Sequence, residues 1–283
     1  LHAMMIASVC NVGLDILFVI GLEWGIIGAG VATVIAQILA GGFCLYHVLK
    51  LKEYMPDSIC KDLSYYKNQF RLGIPMALQN VLIAIGGMVL TSAVNRYGTY
   101  FLAGFTAMNK LYGVLEISAV SYGYAMVTYT GQNYGAGRYD RIKSGVKKVV
   151  LLSLATSILI SIILWIFGPF FLSCFISKTS EGAKQAMTYG LTFLRCLTAF
   201  LPILYLLHAY RSTIQGLSNA LIPMVSGLFE LFMRISGALF LPIFFGKAGL
   251  YPVEVLAWVG AVVILIPSYY WMENNFQNIT ENS

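Results

Sequence analysis

The chain has 283 residues, a formal net charge of +6, 58% hydrophobic residues and 11% charged residues. An average soluble domain carries about 25% charged residues, and a chain of mean hydropathy +0.76 has too few polar groups to cover one large soluble globule. The basic excess is not a nucleic-acid signal, because Lys and Arg sit in short segments between apolar runs.

No Asp, Glu, Lys or Arg occurs in residues 24–49, 72–95, 117–137, 149–177, 212–229 or 255–272. A helix needs about 20 apolar residues to cross the hydrocarbon of a bilayer. Helices are the expected form, because lipid offers no partner to unpaired backbone groups. The runs lack the two-residue alternation of barrel strands. The fold class is therefore all-α, a polytopic transmembrane bundle of about eight helices.

In chain order, the first helix covers residues 3–21 and the second 25–50. On the second, Gly28, Ala32, Ala36 and Ala40 recur every four residues, which lets helices pack closely. A polar connector at 51–71 follows, the natural boundary between two bundles. The third helix spans 72–94, the fourth 100–130, the fifth 147–175, the sixth 182–210, the seventh 222–245 and the eighth 253–272. A polar, frayed tail occupies 273–283. The segment from Leu17 to Ile26 weakly resembles that from Leu239 to Leu250, as in a parallel repeat of helix pairs. The chain starts at Leu1 without a basic leader or cleavage site, so it reads as a fragment lacking its N-terminus.

Loop charge sets the expected orientation. One side holds eleven basic residues, from Lys50 to Arg71, from Arg138 to Lys148 and at Arg211. The other holds four: Arg96, Lys178, Lys184 and Lys247. The first side is then cytoplasmic, together with the connector and the C-terminus, in a cell membrane. Five cysteines (Cys10, Cys44, Cys60, Cys174, Cys196) form no CxxC pair and read as small packing residues.

No P-loop, GxSxG or HExxH motif occurs, so no catalytic or metal residue is expected and the chain does not read as an enzyme. The histidines His2, His47 and His208 read as packing residues. The informative groups are polar side chains at membrane depth, which face a cavity or a partner because burying them in lipid is costly. They are Asp15, one turn after Asn11; Gln79 and Asn80, after Pro75; Asn109, Lys110 and Glu116; Arg195; and Glu230 with Arg234, one turn apart and able to neutralise each other. Pro75 removes a backbone donor, which either opens a polar site or kinks the helix. Each candidate can also be structural glue between helices. Tyr112, Tyr122, Tyr124 and Tyr129 suit either an interfacial belt or an aromatic pocket for an organic cation.

Several of these segments resemble one family. Asn11–Asp15 (NVGLD) and Gly28–Gln37 (GAGVATVIAQ) resemble the fifth and sixth helices of multidrug and toxic compound extrusion (MATE) transporters. Gly73-Ile74-Pro75 resembles the start of their seventh helix, and Gly131–Gly137 (GQNYGAG) the loop after their eighth. Gln215-Gly216-Leu217 through Pro223, then Glu230 and Arg234, resembles the tenth-to-eleventh region. The matches keep their order over nearly the whole chain.

The resemblance implies a two-lobe antiporter in which this chain supplies helices five to twelve: residues 1–50 end an incomplete N-terminal lobe and 72–272 form the C-terminal one. It implies export of a small organic substrate, cationic or amphipathic, in exchange for Na+ or H+ by alternating access. A lipid bilayer, no nucleic acid, no cofactor beyond the coupling ion and a monomeric complete protein go with that reading. The chain departs from the pattern in two ways. Proton-coupled members use an acidic residue on the first helix, which is not in this sequence. Sodium-coupled members use acidic residues on the seventh and tenth helices, yet residues 72–95 and 188–210 hold no Asp or Glu. Gln79 and Asn80 offer only neutral ligands. The alternatives are a lipid-linked saccharide flippase of the same superfamily, which needs a strongly cationic cavity, and a membrane-embedded enzyme or receptor.

Overall fold

The computed structural model describes residues 2–50, 63–176 and 181–281. Among them are nine α-helices and no strand: α1 (His2–Asp15), α2 (Gly25–Lys50), α3 (Leu63–Asn95), α4 (Thr99–Gly135), α5 (Tyr139–Ser173), α6 (Ala183–Ala199), α7 (Leu201–Gly216), α8 (Leu221–Phe245) and α9 (Val253–Glu281). They form two compact units, Leu1–Leu63 and Ser64–Ser283.

The first unit is an antiparallel hairpin. A π-helical segment, Ile16–Gly21, extends α1. The chain reverses through Glu23 and Gly25, both at positive φ (54° and 55°). A Cβ on Gly28 would lie 3.0 Å from the Phe18 carbonyl oxygen, so glycine permits the close approach of α2. Gly28, Ala32 and Ala36 of the small-residue stripe are buried.

The second unit is a bundle built around α7. Leu201, Leu204, Tyr205, Leu207 and Ile214 are buried there, and α7 packs on α4, α5 and α9. Helices α4 and α6 cross at two glycines. A Cβ at Gly104 would sit 2.5 Å from the Ala186 carbonyl oxygen, and one at Gly190 would sit 3.0 Å from the Gly104 carbonyl oxygen. A 3₁₀ turn, Gly246–Leu250, closes the α8–α9 hairpin.

Several expected boundaries move. The sixth expected helix is two helices: α6 and α7 meet at a 52° bend. Pro202 sits in the first turn of α7, where its missing N–H costs no helical bond. Helix α7 then runs on to Gly216, so Arg211, expected in a loop, lies buried inside a helix. Helix α3 begins at Leu63, so part of the expected connector is helical. Residues 51–62, with Lys52, Cys60 and Lys61, lie outside the described residues, as does Lys178. Pro75 is buried within one continuous helix and does not break it. Helix α9 continues through the expected tail as far as Glu281. The four described cysteines are free thiols.

Among the described residues six helices are long and apolar enough to cross a membrane, or seven with the bent α6–α7 pair. Helix α4, expected as a span, is the one left out. Its Asn109, Lys110 and Glu116 and its many Ser, Thr and Tyr residues lower its hydropathy.

Candidate functional site

A cavity of about 280 Å³ lies in the second unit among α3, α4, α6, α8 and the start of α9. Leu90, Phe105, Met108 and Phe193 give it apolar walls. Its polar side comes largely from α4, where Asn109, Tyr112 and Glu116 are spaced three and four apart and so share a face. Tyr112 is held in place by stacking on Trp258 of α9, with ring centroids 6.0 Å apart and 15° between planes.

Arg234 and Glu254 complete the polar wall, and behind them runs a chain of alternating charge. Arg234 donates two hydrogen bonds to Glu254, from Nε (2.9 Å) and Nη2 (2.5 Å), and a third from Nη1 to the Ile83 carbonyl of α3 (3.4 Å). Its Nη2 is 3.7 Å from Glu230. Glu230 accepts a hydrogen bond from Arg211 of α7, whose Nη2 also reaches Ser226 at 3.3 Å. Glu230 is 3% exposed and Arg234 6%. Two guanidinium and two carboxylate groups thus sum to zero formal charge across α7, α8 and α9. Unpaired, any of them would carry a large desolvation cost.

Glu230 and Arg234 form the one-turn ion pair that their spacing permits, at 3.7 Å, and each has a closer partner on another helix. A planar guanidinium fork is best met by both oxygens of one carboxylate, and Glu254, reaching across from α9, presents both to Arg234.

Glu116 stands outside this balanced chain. Its Oε1 lies 3.7 Å from His208 Nε2 of α7, and its side chain is 37% exposed. With the arginines already matched, Glu116 sets the formal charge of the cavity wall, hydrogen-bonded to Tyr112 and backed by His208, which does not line the cavity. Among the described residues no three His, Cys, Asp or Glu side chains group as a metal site.

The other expected site residues lie elsewhere. Gln79 is buried where α3 meets its neighbours: its Oε1 accepts from Gln215 (3.3 Å), and a Cβ on Gly227 would be 3.0 Å from its Cγ. Asn80 and Lys110 are exposed and do not line the cavity. Arg195 is exposed and sits 6.0 Å over the ring of Trp165. Asp15 belongs to the first unit, where its Oδ1 is buried without a hydrogen-bond partner. Of the four tyrosines, Tyr112 lines the cavity. Tyr122 bonds Thr156, Tyr129 donates to the Arg141 carbonyl, and Tyr124 is exposed.

Sequence reasoning missed Arg211, Glu254 and the role of His208. A usable signal existed for two of them: His208, Arg211 and Gln215 are spaced three and four apart, a polar stripe at helical period. For Glu254 the only signal was an acid in a first helical turn, a placement that the helix dipole alone explains.

A family model described as MatE matches residues 75–240. "Probable multidrug resistance protein YpnP" of Bacillus subtilis (strain 168) is 29% identical over 200 residues, 70% of this chain and 44% of the relative. "Probable multidrug resistance protein NorM" of Thermotoga maritima is 21% identical over 262 residues, 90% of this chain and 54% of the relative. Among solved structures, an outward-facing multidrug resistance MATE family transporter of the MOP superfamily superposes with a TM-score of 0.89 at 18% identity, covering 98% of this chain and 62% of that one. A MOP superfamily transporter from Pyrococcus furiosus, described by a binding pocket of reverse polarity, gives 0.85 at 20% identity, covering 98% and 62%. The chain thus spans about half the length of the curated relatives it matches.

Proposed function

The chain belongs to the MatE family, and on that premise we propose that the complete protein is a secondary active antiporter. It exports small cationic or amphipathic organic compounds in exchange for Na+ or H+ by alternating access, and it acts as a transporter and not as an enzyme. It resides in the cell membrane with the C-terminus and the connector cytoplasmic. The observation that carries the substrate reading is electrostatic. The cavity's arginine is matched by Glu254, while the Glu116 carboxylate lines the cavity with two uncharged-at-rest neighbours, the Tyr112 hydroxyl and an imidazole 3.7 Å away. That site suits an organic cation or a coupling ion.

The flippase reading needs cavity cations free to hold a pyrophosphate. Arg234 and Arg211 are both engaged by carboxylates, and Lys110 and Arg195 are outside the cavity. The arrangement favours the drug antiporter.

The test uses the full-length protein in everted vesicles, with ethidium export driven by an imposed Na+ or H+ gradient. Glu116→Gln is expected to reach the membrane at the normal level and to lose gradient-dependent export. Unimpaired export by this variant under both gradients sinks the assignment.

A further inference from the structure

Helix α5 carries a second feature, on a face that takes no part in the central cavity. Lys143, Lys147, Leu151, Leu154, Ile158 and Ile162 recur every three or four residues and so form one stripe. Two hollows open along it. The first, about 290 Å³, lies between the start of α5 and Tyr210, Tyr269 and Tyr270. The second, about 450 Å³, lies where the 52° bend between α6 and α7 leaves a notch at Thr198, Ala199 and Pro202 against Ile158, Ile162 and Trp165.

The two hollows differ in chemistry. The first is basic and hydroxyl-bearing at its rim. Lys143 is bound to Glu273 at 2.7 Å, whereas Lys147 makes no hydrogen bond or ion pair among the described residues. The Tyr210 and Tyr270 hydroxyls stand 3.5 Å apart, and Tyr270 is half exposed. Arg138, Arg141 and Lys148 are close by in the chain and add positive charge at this end. The second hollow is lined by apolar side chains apart from two hydroxyls, and Ser161 already donates its own to the Thr198 carbonyl (2.7 Å). From Lys147 to Ile158 is about 16 Å along the helix axis, at 1.5 Å per residue, close to half of a bilayer core of about 30 Å.

We propose that this stripe is a binding site for one anionic phospholipid. Its phosphate headgroup sits at Lys147 and Tyr270, and an acyl chain follows Leu151 and Leu154 down to the notch at the bend. A basic pocket between helices at one end of a bundle fits an anionic head, and the apolar continuation to the mid-plane fits a chain. Glu273 opposes the headgroup, and Lys143 is spent on cancelling it. Among the described residues the site therefore holds one free cation, and removing the Glu273 charge releases a second.

Native mass spectrometry of the purified full chain in dodecyl maltoside tests this, titrated with dioleoylphosphatidylglycerol and, separately, dioleoylphosphatidylcholine. The readout is the ratio of the two apparent Kd values for the first retained lipid. The native chain is expected to prefer phosphatidylglycerol. Lys147→Gln should shrink that preference about five-fold, Glu273→Gln should enlarge it by a similar factor, and Arg96→Gln, in a different hollow between the ends of α3 and α8, should leave it unchanged. Lys147 and Arg96 are exposed, whereas the Glu273 side chain is 13% exposed, so the melting temperature of each variant is read beside the lipid ratio. A ratio of one in the native chain, no change in Lys147→Gln, or an equal loss in Arg96→Gln overturns the proposal. The readout is lipid retention, so its outcome is independent of whether the protein exports drugs.

Discussion

Glu230→Leu is expected to destabilise the second unit by about 3–5 kcal/mol, because it strands the Arg211 guanidinium in a dry helix interface. Among the described residues Arg211 has one other side-chain partner, Ser226 at 3.3 Å, and its Nε is already buried without one. Arg234 keeps Glu254 and so is affected far less. The same logic makes the double variant Arg211→Met/Glu230→Leu recover most of the loss, since no unmatched charge then remains. Ser226 still donates to the Pro223 carbonyl at 2.7 Å, so it is not orphaned. Fluorescence-detected size exclusion after a heating series measures this. The single variant should aggregate well below the native chain, and the double variant should return towards it. If the double variant is as unstable as the single one, the pair is not the reason for the loss.

The second large effect is steric. Gly104→Ala should cost about 1–3 kcal/mol, the usual range for forcing extra volume into a packed interface. The added methyl meets backbone, the Ala186 carbonyl oxygen at 2.5 Å and the Gly190 nitrogen at 2.8 Å, and backbone cannot swing aside as a side-chain tip can. Gly113 lies on the same helix with nothing within 4 Å of its would-be Cβ. Gly113→Ala should therefore be neutral or stabilising, by up to about 1 kcal/mol of helix propensity. The heating series reads both variants. Equal behaviour of the two would show that the α4–α6 crossing is looser than described.

These predictions rest on features of different visibility in the sequence. The apolar runs, and the glycine and alanine spacing on α2, were legible because each is a local property of one segment. The bend at Phe200 had one local signal, Pro202, which suits the first turn of a helix and not its interior, but apolar composition runs unbroken across it and masked the break. The Glu230–Arg234 spacing was visible, but a four-residue spacing only permits a contact. Which carboxylate each guanidinium takes depends on helices that the sequence does not align.

Several things about this protein followed from the sequence alone. Charge-free runs of membrane-spanning length made it an all-α membrane chain, because unpaired backbone groups have no other stable arrangement in lipid. Ordered motifs placed it beside one transporter family. Tertiary structure alone decided the charge of the cavity. Arg211 left the loop for the core, Glu254 claimed Arg234, and Glu116 was left facing the cavity, backed by His208. The physical reason is that charge in a low-dielectric interior is matched across space, between helices, and not along the chain.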